Sequence, residues 1–532
     1  MTSQNKALYS LLIGIAIVLG IAIGQLLNFN QKSELSFHPT EKDKIDNLLR
    51  YIKEDYVDYV STDSIVDTVI KDILKNLDPH SVYIPQEEVS QADEELDGEF
   101  TGIGVVFQKY KDTFTIIRPL EKGPAKAAGL KTMDRILQIE DDVLFGKNID
   151  IYKISKKIKG KAETKIKLKV YRKTKDSIFD VEITRKHIPL VSVPAHFMIN
   201  DTLGLIKISS FALDTYDEFK TALKSLKQKG MTALILDLRD NTGGLLKQAD
   251  LIADEFLKNG KLIFFTKNNS GEIKKNMATA RGDFEKGNIY VLINENTASA
   301  SEIIAGALQD NDKATIIGRR SFGKGLVQRE MYLGDGSKIR LTTARYYTPT
   351  GRSIQKPYKK GHFDEYRHDF QKRQYNGELF YKDSIHVNDS LRYTTPKGKV
   401  VYGGGGIVPD IFVPIDKNAY IYNLNFLNRF ISDFVTNYLD MNTDKLLSIS
   451  PEDYINSDIE EELYEKFIRS HKKSMNNKKR HKNSQAKENL KILLKALLAR
   501  DLFDSNVYYQ ILMKNDAALK IILQDKTNVP TG

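Results

Sequence analysis

Residues 289–310 read IYVLINENTASASEIIAGALQD, and the fold turns on them. The run opens as a short, wholly apolar strand, breaks at the polar corner Asn296-Thr297, passes through small residues and continues as a helix over 300–309. Strand feeding directly into helix is the repeating unit of an α/β sheet. The same alternation extends in both directions: strand 203–208, helix 216–229, strand 233–238 and helix 246–257 upstream, strand 314–317 downstream. Such a pattern predicts a largely buried sheet with helices packed against it.

The junction holds two serines, Ser299 and Ser301. Free backbone N–H groups and the helix dipole favour negative charge at a helix start, which suits an oxyanion, and serine is also an ordinary cap there. A second segment, Ser321-Phe-Gly-Lys324-Gly-Leu-Val-Gln328, follows the next strand and places a lysine between two glycines. A serine hydroxyl needs a base, and lysine serves as one only when burial lowers its pKa; a solvated turn lysine is the alternative. Residues 318–324 also fit the phosphate-loop spacing, but Gly325 replaces the hydroxyl residue that would hold magnesium, and no helix follows. A third junction, DLRDNTGG at 237–244, exposes backbone at Gly243 and Gly244 that could hold a developing oxyanion or simply make a tight turn. Asp237, Arg239 and Asp240 read equally well as structural ion partners.

Outward from this core, a chain of 532 residues with 41% hydrophobic residues calls for several domains. Residues 7–27 are apolar enough and long enough for a transmembrane signal anchor after a cytoplasmic stretch 1–6, with the bulk of the chain on the non-cytoplasmic side. The competing reading is a signal peptide cleaved near Ala22-Ile23-Gly24, which sends the chain to the periplasm. A linker over 28–39 leads to helices within 40–97 that could form a dimerisation or packing arm. Short strands then dominate 98–188, the α/β region runs 189–355, a polar surface insertion spans 356–406, and 407–414 returns to the core. Helices fill 415–532 around a basic linker at 471–487. The absence of cysteine excludes thiol catalysis and Cys-ligated zinc. A charge of +10 from 80 basic and 70 acidic residues is a mixed surface and gives no reason to expect nucleic acid.

Taken in order, LDPHSVY (77–83), GEFTGIGV (98–105), GPAKAAGL (123–130), DLRDNTGG, TASASEIIAGALQD (297–310), GRRSFGKGLVQ (318–328), TTARYYTPTGRSIQ (342–355) and GIVPDI (406–411) resemble the carboxyl-terminal processing peptidases, the tail-specific proteases of family S41. The resemblance implies a crotonase-like protease core with an inserted PDZ domain. It implies Ser299 as nucleophile, Lys324 as base and Gln328 as the residue orienting that base; the serine–lysine separation selects Ser299 over Ser301. Oxyanion donors carry over to Gly243, Gly244 and Ala300, and supporting acids to Glu302 and Asp310. Gly102, Ile103, Gly104 and Val105 become the PDZ loop that captures a substrate's terminal carboxylate. No metal or organic cofactor is implied.

The expected activity is therefore serine endoproteolysis of exported or membrane proteins presenting free C-terminal tails. None of the nine histidines falls in the motifs around Ser299, with His80 assigned to the N-terminal arm, so a Ser-His-Asp triad is not expected. Rival readings are a catalytically silent, membrane-tethered PDZ scaffold and a different acyl-transfer enzyme on the same sheet. The chain departs from the family at 356–406 and after residue 414, where regulatory or adaptor partners could act. It also carries Thr132-Met133-Asp134 where the family usually has Pro-Gly-Asp.

Overall fold

The computed structural model describes residues 12–24, 41–146, 150–361, 363–416, 424–471 and 484–524. The chain divides into two compact units, Met1–Asp72 and Ile73–Gly532. In the first, residues 12–24 are helical and a further helix runs Glu41–Asp55. The expected span 7–27 passes beyond the described residues at both ends, and residues 1–6 and the linker 28–39 lie outside them. Among the described residues no helix is long and apolar enough to cross a membrane.

In the second unit the alternation read from sequence produces a six-stranded sheet. Its order is Ala195–Met198, Leu203–Lys207, Ala233–Asp237, Asn288–Ile293, Ala314–Gly318 and Ile411–Phe412; the first pair is antiparallel and the rest are parallel. Alternate residues of each strand point to opposite faces. Ile206, Leu234, Leu236, Val291 and Ile316 pack against helices Thr215–Gln228, Leu246–Asp254 and Ala300–Asp310. Leu205, Ile235, Tyr290, Leu292 and Ile317 meet Met513, Ala518, Leu519 and Ile522 from the C-terminal helices. The tail after residue 414 is thus no appendage. A parallel sheet needs both faces covered, and this tail supplies the second layer.

A second sheet centres on Lys338–Tyr347, which pairs with Val82–Ile84, Leu262–Asn268 and Leu326–Tyr332; Ile273–Met277 extends it beyond Leu262–Asn268. Strand Leu326–Tyr332 and strand Lys338–Tyr347 form a hairpin that turns around Gly334-Asp335-Gly336.

The inserted domain folds as an antiparallel sheet of Val105–Tyr110, Thr113–Pro119, Arg135–Ile139, Lys165–Arg172 and Ser177–Thr184, with helix Ile151–Ile158 closing its core. The strands that lead in and out, Glu99–Gly102 and Lys186–Pro189, pair with each other at its base. Its departure from the family pattern has a physical reading. Met133 adopts φ 68°, a conformation natural for glycine, yet it is 3% exposed and belongs to the apolar core of the C-terminal helices along with Tyr110 and Leu439. Burying a methionine is worth about 1.5–3 kcal/mol, enough to offset the roughly 1–2 kcal/mol of left-handed backbone. Beside it, Asp440 of helix Leu424–Leu447 takes Arg135 and Lys173, each at 3.2 Å.

Two expectations need correction. Residues 356–406 are not a surface insertion: Tyr366, Arg373, Glu378, Leu379 and Val401 are buried. The buried charges of the run, Arg373 and Glu378, are paired with each other, with Arg320 and with main-chain carbonyls. The basic linker 471–487 ends early, because helix Ser484–Leu502 already includes its last residues; 472–483 lie outside the described residues.

Candidate active site

Three strand ends converge at one edge of the parallel sheet, where the strand-to-helix corners are laced together by short polar side chains. Asn294 donates to Asp240 Oδ1 at 2.8 Å and accepts the Asp240 N–H at 2.9 Å. Thr297 Oγ1 donates to the Leu238 carbonyl at 2.9 Å. Ser301, fully buried, donates to the Asn241 carbonyl at 3.0 Å. Ser301 is therefore a structural tie between corners. Ser299 is different: it is part-exposed at the N-cap of helix Ala300–Asp310 with φ 57° and ψ −117°. A non-glycine residue held there stores on the order of 1–3 kcal/mol of backbone strain, which persists only where the surroundings enforce it.

The enforcing group is Glu302. Its buried carboxylate accepts four donors: Ser321 Oγ at 2.5 Å and the Gly323 N–H at 2.7 Å on Oε1, and the N–H groups of Ser299 at 2.9 Å and Lys324 at 2.8 Å on Oε2. Desolvation raises the Glu302 pKa, and these hydrogen bonds oppose the rise. One carboxylate thus fixes the backbone of both Ser299 and Lys324.

Gly243 lies directly against Ser299: a Cβ there would come within 2.7 Å of the Ser299 Cβ. Its own N–H is committed to Asn241 Oδ1 at 2.9 Å. The Gly244 and Ala300 N–H groups make no hydrogen bond among the described residues. At Gly244, φ is 141°, and a side chain would run into the Phe211 carbonyl. The corner's free donors are thus Gly244 and Ala300, while Gly243 keeps the space beside the serine open.

Lys324 is mostly buried, and its pKa is lowered, first by desolvation and then by the nearby Arg340 guanidinium, against the opposing pull of Glu302 and Asp78. Its ammonium donates to Gln328 Oε1 at 2.9 Å. No hydrogen bond joins it to Ser299 among the described residues. Gln328 in turn donates through Nε2 to the main-chain carbonyl of His80.

His80 therefore stands beside the base and not on a remote arm. The Asp78-Pro79-His80-Ser81 corner is fastened to the second sheet, with Asp78 accepting Ser81 Oγ at 2.6 Å and Thr342 Oγ1 at 3.0 Å. Desolvation, followed by the Lys324 charge, holds the His80 imidazole down at about 4. Its Nε2 meets the Tyr366 hydroxyl at 2.7 Å and does not reach toward Ser299 as a triad base would. Sequence reading missed His80, Arg340 and Tyr366. The signal for His80 was present in LDPHSVY, but its pairing with a strand more than two hundred residues later is visible only in three dimensions.

Asp310 sits away from the serine, at the opposite end of helix Ala300–Asp310, about 15 Å along the axis at the usual rise. There it forms a fully buried ion pair with Arg352 at 2.7 Å and accepts Thr350 Oγ1 at 2.6 Å. Asp237 and Arg239 are likewise structural, joined with Lys207 and with Asp516 of the C-terminal helices.

In the inserted domain, Gly102 ends strand Glu99–Gly102, Ile103 and Gly104 make the turn, and Val105 opens the edge strand Val105–Tyr110. Gly104 has φ 74°, and a Cβ there would lie 2.7 Å from Gly123 Cα. Ile103 is buried, its carbonyl accepting the Ala125 N–H at 2.8 Å. Among the described residues strand Val105–Tyr110 pairs on one side only, with Thr113–Pro119, leaving an edge that an extended peptide can join. Among the described residues no cluster of three or more His, Cys, Asp or Glu could hold a metal ion.

Three family profiles match: Peptidase family S41 at residues 202–362, a PDZ domain at 101–183, and a family of unknown function, DUF8443, at 420–504. The carboxy-terminal processing protease CtpA of Bacillus subtilis is 36% identical over 317 residues, 59% of this chain and 66% of that protein. A CtpA-like serine protease of Staphylococcus aureus strain MSSA476 is 33% identical over 351 residues, 65% of this chain and 69% of that protein. The solved photosystem II D1 C-terminal processing protease is 22% identical with a TM-score of 0.37, covering 71% of this chain and 88% of that one.

Proposed function

The chain belongs to the carboxyl-terminal processing peptidases of family S41 with a PDZ domain, and on that premise we propose that it cuts proteins selected by their free C-terminal tails, using Ser299 and Lys324 as a catalytic dyad. The observation that carries the dyad is the Glu302 carboxylate, which holds the main chain of both residues at once.

The chemistry follows from the neighbours. Neutral Lys324 takes the Ser299 proton as Oγ adds to the scissile carbonyl, and the N–H groups of Gly244 and Ala300 receive the negative oxygen. On collapse, the Lys324 ammonium gives its proton to the leaving amine. Water, deprotonated by the same lysine, then hydrolyses the acyl-enzyme and restores the Ser299 hydroxyl. Gln328, whose Oε1 accepts from the Lys324 amine at 2.9 Å, orients the base for this transfer.

Tail selection rests on the open edge of Val105–Tyr110 and the loop Gly102 to Val105, a pairing suited to an added strand ending in a carboxylate. It is tested with one substrate carrying either a free or an amidated C-terminus. A hydrogen bond to a charged group contributes roughly 1.5–3 kcal/mol, so amidation should lower kcat/KM by about tenfold or more. Equal cleavage of the two would remove the tail from the recognition step.

The apolar stretch 7–27 supports placing this activity outside the cytoplasm, anchored at the inner membrane. Alkaline carbonate extraction of membranes from cells making the full chain should leave it in the pellet. Release into the soluble fraction would rule the anchor out.

A further inference from the structure

Residues 356–361 and 363–378, which the sequence presents only as a polar run, form the wall behind Lys324. Three contacts make it. Tyr366, from helix Phe363–Arg367, puts its hydroxyl 2.7 Å from His80 Nε2. His80 holds Gln328 through its main-chain carbonyl, and Gln328 holds the Lys324 ammonium at 2.9 Å. Gln355 Nε2, 3.5 Å away, donates toward the same phenol oxygen, which directs the Tyr366 proton to His80 Nε2. With its pKa at about 4, His80 is neutral at physiological pH and can accept it.

The second contact is Lys356. Its ammonium lies 4.0 Å from the ring centroids of both Phe322 and Tyr366, and it bonds to Asp369 at 3.1 Å. Cation–π attraction in such a shielded place binds Phe322, two residues before the base, to the wall. The third is Arg373, buried, which donates to the carbonyls of Arg320 at 2.6 Å and Ser321 at 3.0 Å. Glu378 fixes its guanidinium at 2.8 Å and pairs with Arg320 as well.

Residues 320, 321 and 322 are therefore all held by this segment, immediately ahead of Gly323 and Lys324. None of Tyr366, Lys356 or Arg373 bonds to Ser299 or to the free N–H groups of Gly244 and Ala300. We propose that this segment positions the catalytic base, with Tyr366 acting through His80 and Gln328, and Arg373 acting through the carbonyls of 320 and 321. This inference rests on Lys324 being the base.

The full chain carrying Tyr366→Phe loses one hydroxyl and keeps the ring that stacks on Lys356. Small misplacements of a catalytic group cost up to about a hundredfold, so we expect kcat to fall about tenfold while KM for a tail-bearing substrate stays at its original value. Labelling of Ser299 by a fluorophosphonate, which needs no tail, should slow by the same factor. Arg373→Lys, which can reach only one of the two carbonyls, should give the same kcat-specific loss. Unchanged kcat and labelling in both variants would refute the positioning role. So would a loss that tracks a lower melting temperature, with KM rising alongside, since that describes a fold support only. Lys324→Ala run in parallel separates the premise from the inference: if it retains full activity the base assignment fails, whatever Tyr366→Phe shows.

Discussion

Lys324→Ala and Ser299→Ala should each depress kcat/KM toward a tail-bearing substrate by about 10³-fold or more, because members of a catalytic unit fail together. The loss should fall in kcat, leaving tail binding by the inserted domain intact, since neither residue lies in that domain. A silent PDZ scaffold predicts the opposite: no turnover to lose, and no reaction of Ser299 with a fluorophosphonate. The pH dependence adds a sign that a merely structural lysine would not produce. Lys324 works as a base only when neutral, and burial with Arg340 nearby lowers its pKa from the ordinary lysine value. Activity should therefore rise with pH through an apparent pKa below that value. Arg340→Gln removes the positive neighbour and leaves the attraction of Glu302 and Asp78, so the rising limb should move to higher pH. A limb that stays in place would show that another group governs it.

The parallel sheet was legible because it is carried by local pattern, buried apolar strands and the corners behind them, whereas Ser299 and Lys324 were singled out only through the family resemblance. Ser299 could not be told from an ordinary helix cap by pattern alone. Its left-handed backbone and the buried, occupied hydroxyl of Ser301 distinguish the two serines in the structure. What sequence left dark has a common physical cause, namely that partners lie far apart in the chain. Tyr366 and His80 are separated by nearly three hundred residues, and nothing in the polar run around Tyr366 announces a buried partner. The strands Leu262–Asn268 and Ile273–Met277 went unread because the second of them is largely exposed at a sheet edge and lacks a clean alternation. The C-terminal helices read as helices, but the sheet face they cover could not be seen from their own periodicity. Asp310 illustrates the reverse error: an acid carried over by family position proves to be the partner of Arg352, remote from the chemistry.

Glu302→Gln is the second large effect, and it is the sharper one because the substitution preserves shape. Each carboxylate oxygen of Glu302 faces two donors, and no rotation of an amide can satisfy both pairs. If the amide nitrogen faces Ser299 and Lys324, two backbone N–H groups confront a third donor. If it faces the other way, Gly323 and the Ser321 hydroxyl do. A buried donor left unmet costs about 1–3 kcal/mol, so the corner must relax, and it relaxes at the two residues that have to meet. The same substitution spares the fold the burial of a charge, whose desolvation pushes the Glu302 pKa up. The two effects oppose each other in global stability, whereas only the first acts on alignment. We therefore expect kcat to fall about a hundredfold with a much smaller change in melting temperature, and Ser299 labelling by a fluorophosphonate to slow in proportion. Wild-type kcat in Glu302→Gln would mean that this carboxylate does not hold the dyad in register.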